Sequence, residues 1–210
     1  MWYSVLIAVL AAYLLGNING AVCMSTLLAH EDVRNHGSGN AGLTNFVRNY
    51  GAVKGLAVLA IDAVKTVIAC LAGGLLLKPF DCQLTGMVLG GLCVMLGHAF
   101  PALLGFKGGT GILCGLFVAV VADWRIALII LGVFILVYVF TKYVSLASVL
   151  ASVAFAVCFV IFHYDNLYVA IGGVIMGCLT IFMHRGNIAR LCKGEERKTY
   201  YFRKTKKENE

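Results

Sequence analysis

Residues 144–162 read VSLASVLASVAFAVCFVIF, nineteen residues without a charge. A helix needs about 20 predominantly apolar residues to cross the hydrocarbon core of a bilayer, within a range of roughly 17–25. This run alone points to a membrane, and the pattern recurs along the chain. Apolar runs fall at 3–29, 54–77, 84–104, 111–122, 125–141, 144–162 and 167–183. The fourth is too short for a full span and reads as a tilted, broken or partly re-entrant helix, tolerated where its backbone packs on protein or lines a cavity. The expected fold is an all-α integral membrane protein, a polytopic bundle of about seven transmembrane helices.

The composition agrees. The chain has 210 residues, 60% of them hydrophobic and only 13% charged, with a mean hydropathy of +0.89. Soluble domains are about half apolar and a quarter charged. The net charge of +7 is therefore read through topology and not as a nucleic-acid footprint. With the amino terminus outside and seven crossings, only Lys78 and Arg125 lie outside and Lys65 falls within the second segment; every other Lys and Arg is inside. That asymmetry places the carboxyl terminus in the cytoplasm. One transmembrane domain is expected over 1–192, with a charged cytoplasmic tail over 193–210, frayed or lying on the surface near anionic lipid. The opening Met-Trp-Tyr-Ser lacks a basic region and no convincing cleavage site follows, so the first helix is expected to stay in the membrane. The eight cysteines form no CxxC pair and have no histidine at metal-ligand spacing. They read as small hydrophobes in helices, and no metal site is expected.

Four polar clusters interrupt the apolar runs, all on the inner side of this topology. They are RNHGSGNAGLTNFVRNYG at 34–51, GFKGGTG at 105–111, TKYVSLAS at 141–148 and MHRGNIARLCKGEERK at 183–198. Glycine lets the backbone take positive φ and approach a ligand closely, and successive N–H groups in such loops make a concave anion site. Gly37, Ser38, Gly39, Asn40, Thr44 and Asn45 supply such a loop with hydrogen-bonding side chains, and Arg48 adds a fork suited to phosphate or carboxylate. Lys107, Gly108 and Gly109 repeat the idea before Thr110. His184, Arg185, Asn187 and Arg190 precede the acidic pair Glu195–Glu196. The set suits a ligand bearing one or two phosphates, reached from the cytosol and the bilayer.

Plainer readings exist for each piece. Glycine-rich inner loops also serve as turns, and Arg48 and the last cluster as ordinary positive-inside charge. His98 in LGHAFP reads as a helix-end histidine bonded to a carbonyl. Asp62 and Lys65, at i and i+3, read as a pair within the second segment or as a sign of a site at that depth. No GxSxG, HExxH or Walker pattern occurs, so chemistry at this face would rest on positioning and electrostatic stabilisation.

Taken in order along the chain, these motifs resemble the acyl-phosphate-dependent glycerol-3-phosphate acyltransferases of bacteria, the PlsY family. EDVRNHGSGNAGLTNFVRNYGAVKG is similar to the family's first motif through Arg34, Gly37, Ser38, Gly39, Asn40, Gly42, Thr44, Asn45, Arg48 and Gly51. LGHAFPALLGFKGGTG is similar to the second, KYVSLAS to a Tyr-Val-Ser-Leu stretch that brings in Ser145 and Ser148, and HRGNIARLCKGEERK to the third through His184, Arg185, Asn187, Arg190 and Glu196. The resemblance implies a multi-pass enzyme of the bacterial inner membrane with its active site on the cytoplasmic face. It would move a fatty acyl group from acyl phosphate to glycerol 3-phosphate, giving lysophosphatidic acid and phosphate, the first step of phospholipid synthesis. Its partners would be those two substrates and membrane lipid, with no cofactor, metal or nucleic acid. Ser38, Arg48, His184 and Asn187 become the expected catalytic residues, and the other loop residues named above, with Ser145 and Ser148, the expected phosphate-binding set.

The chain departs from the family pattern in three places. Thr110 stands where the family has a lysine directly after the paired glycines, Leu113 and Cys114 stand where Ala and Thr are usual, and GNING at 16–20 replaces a Gly-Ser-Ile-Pro form. Lys107 or Lys142 would be the expected substitute for the missing cation. Two other functions fit the same residues: an altered paralogue that binds lipid phosphate without turnover, and a small transporter of anionic lipid. Phosphate release separates the first, and a polar path through the bilayer would mark the second.

Overall fold

The structure, a computed structural model, describes residues 1–199, and the regular secondary structure among them is all helical. Its helices are α1 (Trp2–Gly16), α2 (Gly20–Ala29), α3 (Leu43–Tyr50), α4 (Ala52–Leu77), α5 (Gln83–Ala99), α6 (Ile112–Ala122), α7 (Trp124–Thr141), α8 (Val144–Phe162), α9 (Leu167–Met183) and α10 (Arg185–Cys192). Five stretches are long and apolar enough to cross a membrane: Trp2–Ala29, Ala52–Phe80, Gln83–Leu104, Trp124–Thr141 and Val144–Phe162. A sixth is gained if α9 and α10, bent by 56° at their junction, count as one. Helix α6 has 11 residues, about 16 Å at 1.5 Å per residue, against a hydrocarbon core of about 30 Å. Each of the seven expected segments is helical, the first as two helices, α1 and α2, and the fourth short as the sequence suggests.

The first apolar run is not one helix. It breaks at residues 17–19, where Asn19 caps α2 by accepting from the Val22 N–H at 3.0 Å. Asn17 donates to the Tyr13 carbonyl at 2.7 Å and accepts from the Leu103 N–H at 3.0 Å. A break in hydrocarbon requires its freed backbone groups to find partners, and Lys65 Nζ supplies one by donating to the Ile18 carbonyl at 2.5 Å. The polar residues of GNING are thus spent on making this break.

The packing follows membrane rules, in which small residues let helix backbones approach. Helices α4 and α5 meet at Gly73 and Gly86, and a Cβ placed on Gly73 would lie 2.2 Å from the Gly86 carbonyl oxygen. The larger core lies between α5, α6, α7, α8 and α9, around Met95, Val118, Ile126, Phe155, Phe159 and Met176. Outward, Leu10, Leu71, Leu75, Leu136 and Phe140 remain exposed. In water such a belt would be a liability; in a bilayer it is the lipid-facing surface.

Residues 193–199 are pinned to the bundle and not frayed, although Lys193, Gly194, Glu195, Arg197 and Lys198 remain exposed. They turn back against the bundle: the Thr199 N–H donates to the Lys142 carbonyl at 3.0 Å, and the Tyr138 hydroxyl donates to the Thr199 carbonyl at 3.0 Å. Glu196 and Thr199 are both buried. The remaining tail residues, 200–210, lie outside the described ones.

Candidate active site

All four polar clusters contribute to one cavity of about 630 Å³, a volume suited to a small ligand or the head of a larger one. Ser38, Gly39, Asn40, Thr44, Asn45 and Arg48 line it from the first cluster, and Thr110 with Gly111 from the second. Ser145 and Ser148 come from the start of α8, and His184, Arg185, Asn187, Arg190 and Glu196 from the last cluster. Asp62 of α4 and His98 of α5 also reach it. The lining also has an apolar part, with Ile112, Leu113 and Leu116 of α6 and Ile130, Leu131 and Phe134 of α7.

The first loop is knotted around Asn45, which is 3% exposed. Its amide nitrogen faces the carbonyls of Val33, His36 and Asn40, each at 3.0 Å, and its oxygen accepts from the Ser38 N–H at 3.0 Å. Asn45 therefore spends its polar atoms on shaping the loop. Gly37 has φ +62°, and a Cβ there would come within 2.3 Å of the Asn45 oxygen, so the knot requires a glycine at this position on both counts. Arg34 ties the first loop to the second. It forks onto Asp32 at 2.7 Å and donates from Nη1 to the Leu104 and Lys107 carbonyls at 2.7 and 3.0 Å.

In the second loop, Gly109 lies packed between His98 and the Ala41 carbonyl. Gly111 takes φ +80° at the start of α6. The Thr110 side of this loop faces the cavity, while Gly37, Lys107, Gly108 and Gly109 are not among its lining residues. Lys107 is exposed, and its carbonyl is held by Arg34. Lys142 does not line the cavity either; its ammonium lies 5.6 Å from the centre of the Tyr138 ring. Among the described residues, the Lys and Arg side chains at the cavity wall are Arg48, Arg185 and Arg190.

The carboxyl-terminal cluster is built on the bend between α9 and α10. His184 is 4% exposed, and its Nδ1 lies 2.8 Å from the Thr180 carbonyl. A carbonyl only accepts, so Nδ1 carries the proton and Nε2 keeps its lone pair in the neutral ring. Glu196 accepts from Asn187 Nδ2 at 2.9 Å and from Arg190 Nε at 2.7 Å. Burial alone would raise the Glu196 carboxyl, but these hydrogen bonds outweigh it and hold the group below the usual glutamate range. The Ser145 hydroxyl lies beside Glu196, buried and without a protein partner in hydrogen-bond geometry. Arg48 Nη2 donates to the Thr199 hydroxyl and, at 3.3 Å, to the Arg197 carbonyl. The chain's last described residues thus bond to an arginine that lines the cavity.

Two wall positions escape sequence reasoning. Phe134 and its α7 neighbours carry no signal beyond apolarity. His98 was expected to bond a carbonyl; instead its Nδ1 faces Lys65 Nζ at 2.9 Å. Asp62 and Lys65 do pair, at 2.7 Å, with side chains 2% and 3% exposed.

Residues 6–194 match the sequence profile described as glycerol-3-phosphate acyltransferase. The chain belongs to the glycerol-3-phosphate acyltransferase family. It is 40% identical over 196 residues to a glycerol-3-phosphate acyltransferase of Thermoanaerobacter sp. (strain X514), covering 93% of this chain and 96% of that one. A glycerol-3-phosphate acyltransferase of Finegoldia magna is 39% identical over 189 residues, covering 90% and 93%. A crystal structure of PlsY, an integral membrane glycerol 3-phosphate acyltransferase in its glycerol 3-phosphate form, superposes with a TM-score of 0.85 at 34% identity, covering 94% and 96%. The lysophosphatidic acid form of PlsY superposes with a TM-score of 0.82 at 33% identity, over the same shares.

Proposed function

We propose that this chain is a multi-pass acyltransferase of the bacterial plasma membrane that moves a fatty acyl group from acyl phosphate to glycerol 3-phosphate. The observation that carries the reading is the mixed polar and apolar cavity. Its lining combines three arginines and two glycine loops with apolar residues of α6 and α7. The two substrates need those surfaces together: both bear phosphate and one bears a long hydrocarbon chain. The excess of Lys and Arg in the loops that build the polar part puts it at the cytoplasmic face.

In this reading Arg48 and the N–H groups of the glycine loops hold phosphate oxygens, with Ser38, Asn40 and Thr44 completing the cradle. Ser145, Ser148, Arg185 and Arg190 face the same volume. The Nε2 lone pair of His184 accepts the proton of the acceptor hydroxyl as its oxygen attacks the acyl carbon. The bond between acyl carbon and phosphate oxygen then breaks, and phosphate leaves with the electron pair; the leaving phosphate is itself basic enough to share the proton. Glu196 holds Asn187 in place at the site. No step needs a metal or cofactor group.

The test is incubation of the purified protein with acyl phosphate and glycerol 3-phosphate. Lysophosphatidic acid and phosphate should appear in equal amounts. Lipid-phosphate binding without turnover would replace this reading with that of an altered paralogue.

Thr110 supplies a hydroxyl and an N–H at the cavity wall but no long cation. Thr110→Lys should lower the KM for glycerol 3-phosphate roughly tenfold, as expected from one added charge-assisted hydrogen bond of about 1.4 kcal/mol or more. The KM for acyl phosphate should stay nearly unchanged. No gain in the lysine variant would mean that Arg48 or Arg185 already does this work.

A further inference from the structure

Beneath the cavity lies a charged cluster that the proposed chemistry does not use. Lys65 Nζ has four acceptors in reach: Asp62 Oδ1 at 2.7 Å, the Ile18 carbonyl at 2.5 Å, His98 Nδ1 at 2.9 Å and, more distant, the Gly16 carbonyl at 3.4 Å. An ammonium has three N–H groups and no acceptor capacity, so the three nearest contacts suffice to use it fully. Asp62 Oδ1 also accepts from the Gly20 N–H at 3.2 Å. His98 is 3% exposed.

Because Lys65 can only donate, His98 Nδ1 must accept. In the neutral ring the proton then sits on Nε2. That edge faces the second glycine loop: a Cβ added to Gly109 would lie 2.3 Å from Nε2. The same ring lines the cavity with Thr110 and Gly111, and the His98 carbonyl accepts from the Gly109 N–H at 3.0 Å. Among the described residues no hydrogen bond uses Nε2, although the side chain is almost wholly enclosed. A donor without a protein partner is left for ligand or solvent, and the volume that this ring lines is the cavity.

We propose that His98 is a substrate-binding residue whose Nε2–H donates to a phosphate oxygen of one of the two substrates, with Lys65 and Asp62 locking the tautomer that makes this possible. The inference rests on the reading of the cavity as the acyl-transfer site. It gives a function to a buried ionic cluster that is otherwise costly to maintain. It also puts a neutral donor beside the loop that lacks a lysine.

Two replacements divide the ring's two nitrogens. His98→Asn keeps an oxygen near Nδ1 for Lys65 but has nothing at the Nε2 position. His98→Gln reaches the Nε2 position with an amide N–H. Steady-state kinetics with glycerol 3-phosphate and a long-chain acyl phosphate, each varied in turn, should show the KM of one substrate raised roughly tenfold in His98→Asn. His98→Gln should keep that KM within about threefold of the parent. The substrate affected identifies which phosphate His98 meets. Equal loss in both variants, or no change in His98→Asn, overturns the proposal.

Should His98→Asn fail to fold, ¹⁵N-histidine NMR on the unaltered protein decides. The His98 Nε2 resonance should move when either substrate is added, and a stationary resonance overturns the proposal. Arg48→Ala separates the two levels of the argument. If it leaves both KM values unaltered, the cavity reading itself fails. If it cripples the enzyme while His98→Asn behaves as the parent, only the role of His98 falls.

Discussion

Arg48→Ala should reduce kcat/KM at least 100-fold while the protein still inserts into the membrane and purifies as a folded species. The guanidinium is a planar fork beside a glycine loop, and loss of a charge-assisted contact to phosphate in a partly closed site is worth about 3 kcal/mol, which is roughly two decades. Its present bonds to the Thr199 hydroxyl and the Arg197 carbonyl raise a competing explanation, that Arg48 only anchors the carboxyl-terminal segment. Thr199→Ala separates the two. It removes the anchor's hydroxyl and leaves the charge, so activity should stay within a few-fold of the parent. Equal losses in the two variants would assign Arg48 to holding the tail and not to the substrate.

His184→Gln is the second large effect. Proton transfer by a positioned side chain contributes roughly 10²–10⁴-fold, and the loss should fall on kcat more than on either KM. Glutamine fills a similar volume but cannot take up a proton. The N–H at Nδ1, held by the Thr180 carbonyl at 2.8 Å, is what turns a basic Nε2 towards the cavity in the parent. The pH–rate profile carries the decisive signal. The parent should lose rate on the acid side as His184 protonates, because the protonated ring has no lone pair to offer. That limb should be missing in His184→Gln. A variant that is slower but keeps the same acid limb would make His184 a phosphate ligand.

The membrane class was legible because it depends on composition over a window, and the uncharged stretch at 144–162 is too long and too apolar for any other solvent. The inner polar clusters were legible because glycine, asparagine and arginine are costly inside hydrocarbon unless a site or a turn needs them. Their order along the chain then pointed to the family to which the chain belongs. Finer features depended on partners distant in the chain. Lys107 and Thr110 stand three positions apart in one glycine loop, yet Thr110 faces the cavity and Lys107 faces solvent, with its carbonyl held by Arg34. The first apolar run reads as one span, but it breaks because Asn19 caps a new helix and Lys65, far along the chain, takes up the Ile18 carbonyl.

His98 shows the division most sharply. Its sequence neighbours suggest a helix-end residue bonded to a carbonyl. Which nitrogen carries its proton is decided by an ammonium on another helix, and which ligand it meets by a loop folded over from the end of its own. Periodicity and composition act locally, so sequence alone determines what each segment must be buried in. Hydrogen bonding between segments is satisfied only after they pack, so the identity of each donor and acceptor at the site belongs to the tertiary structure.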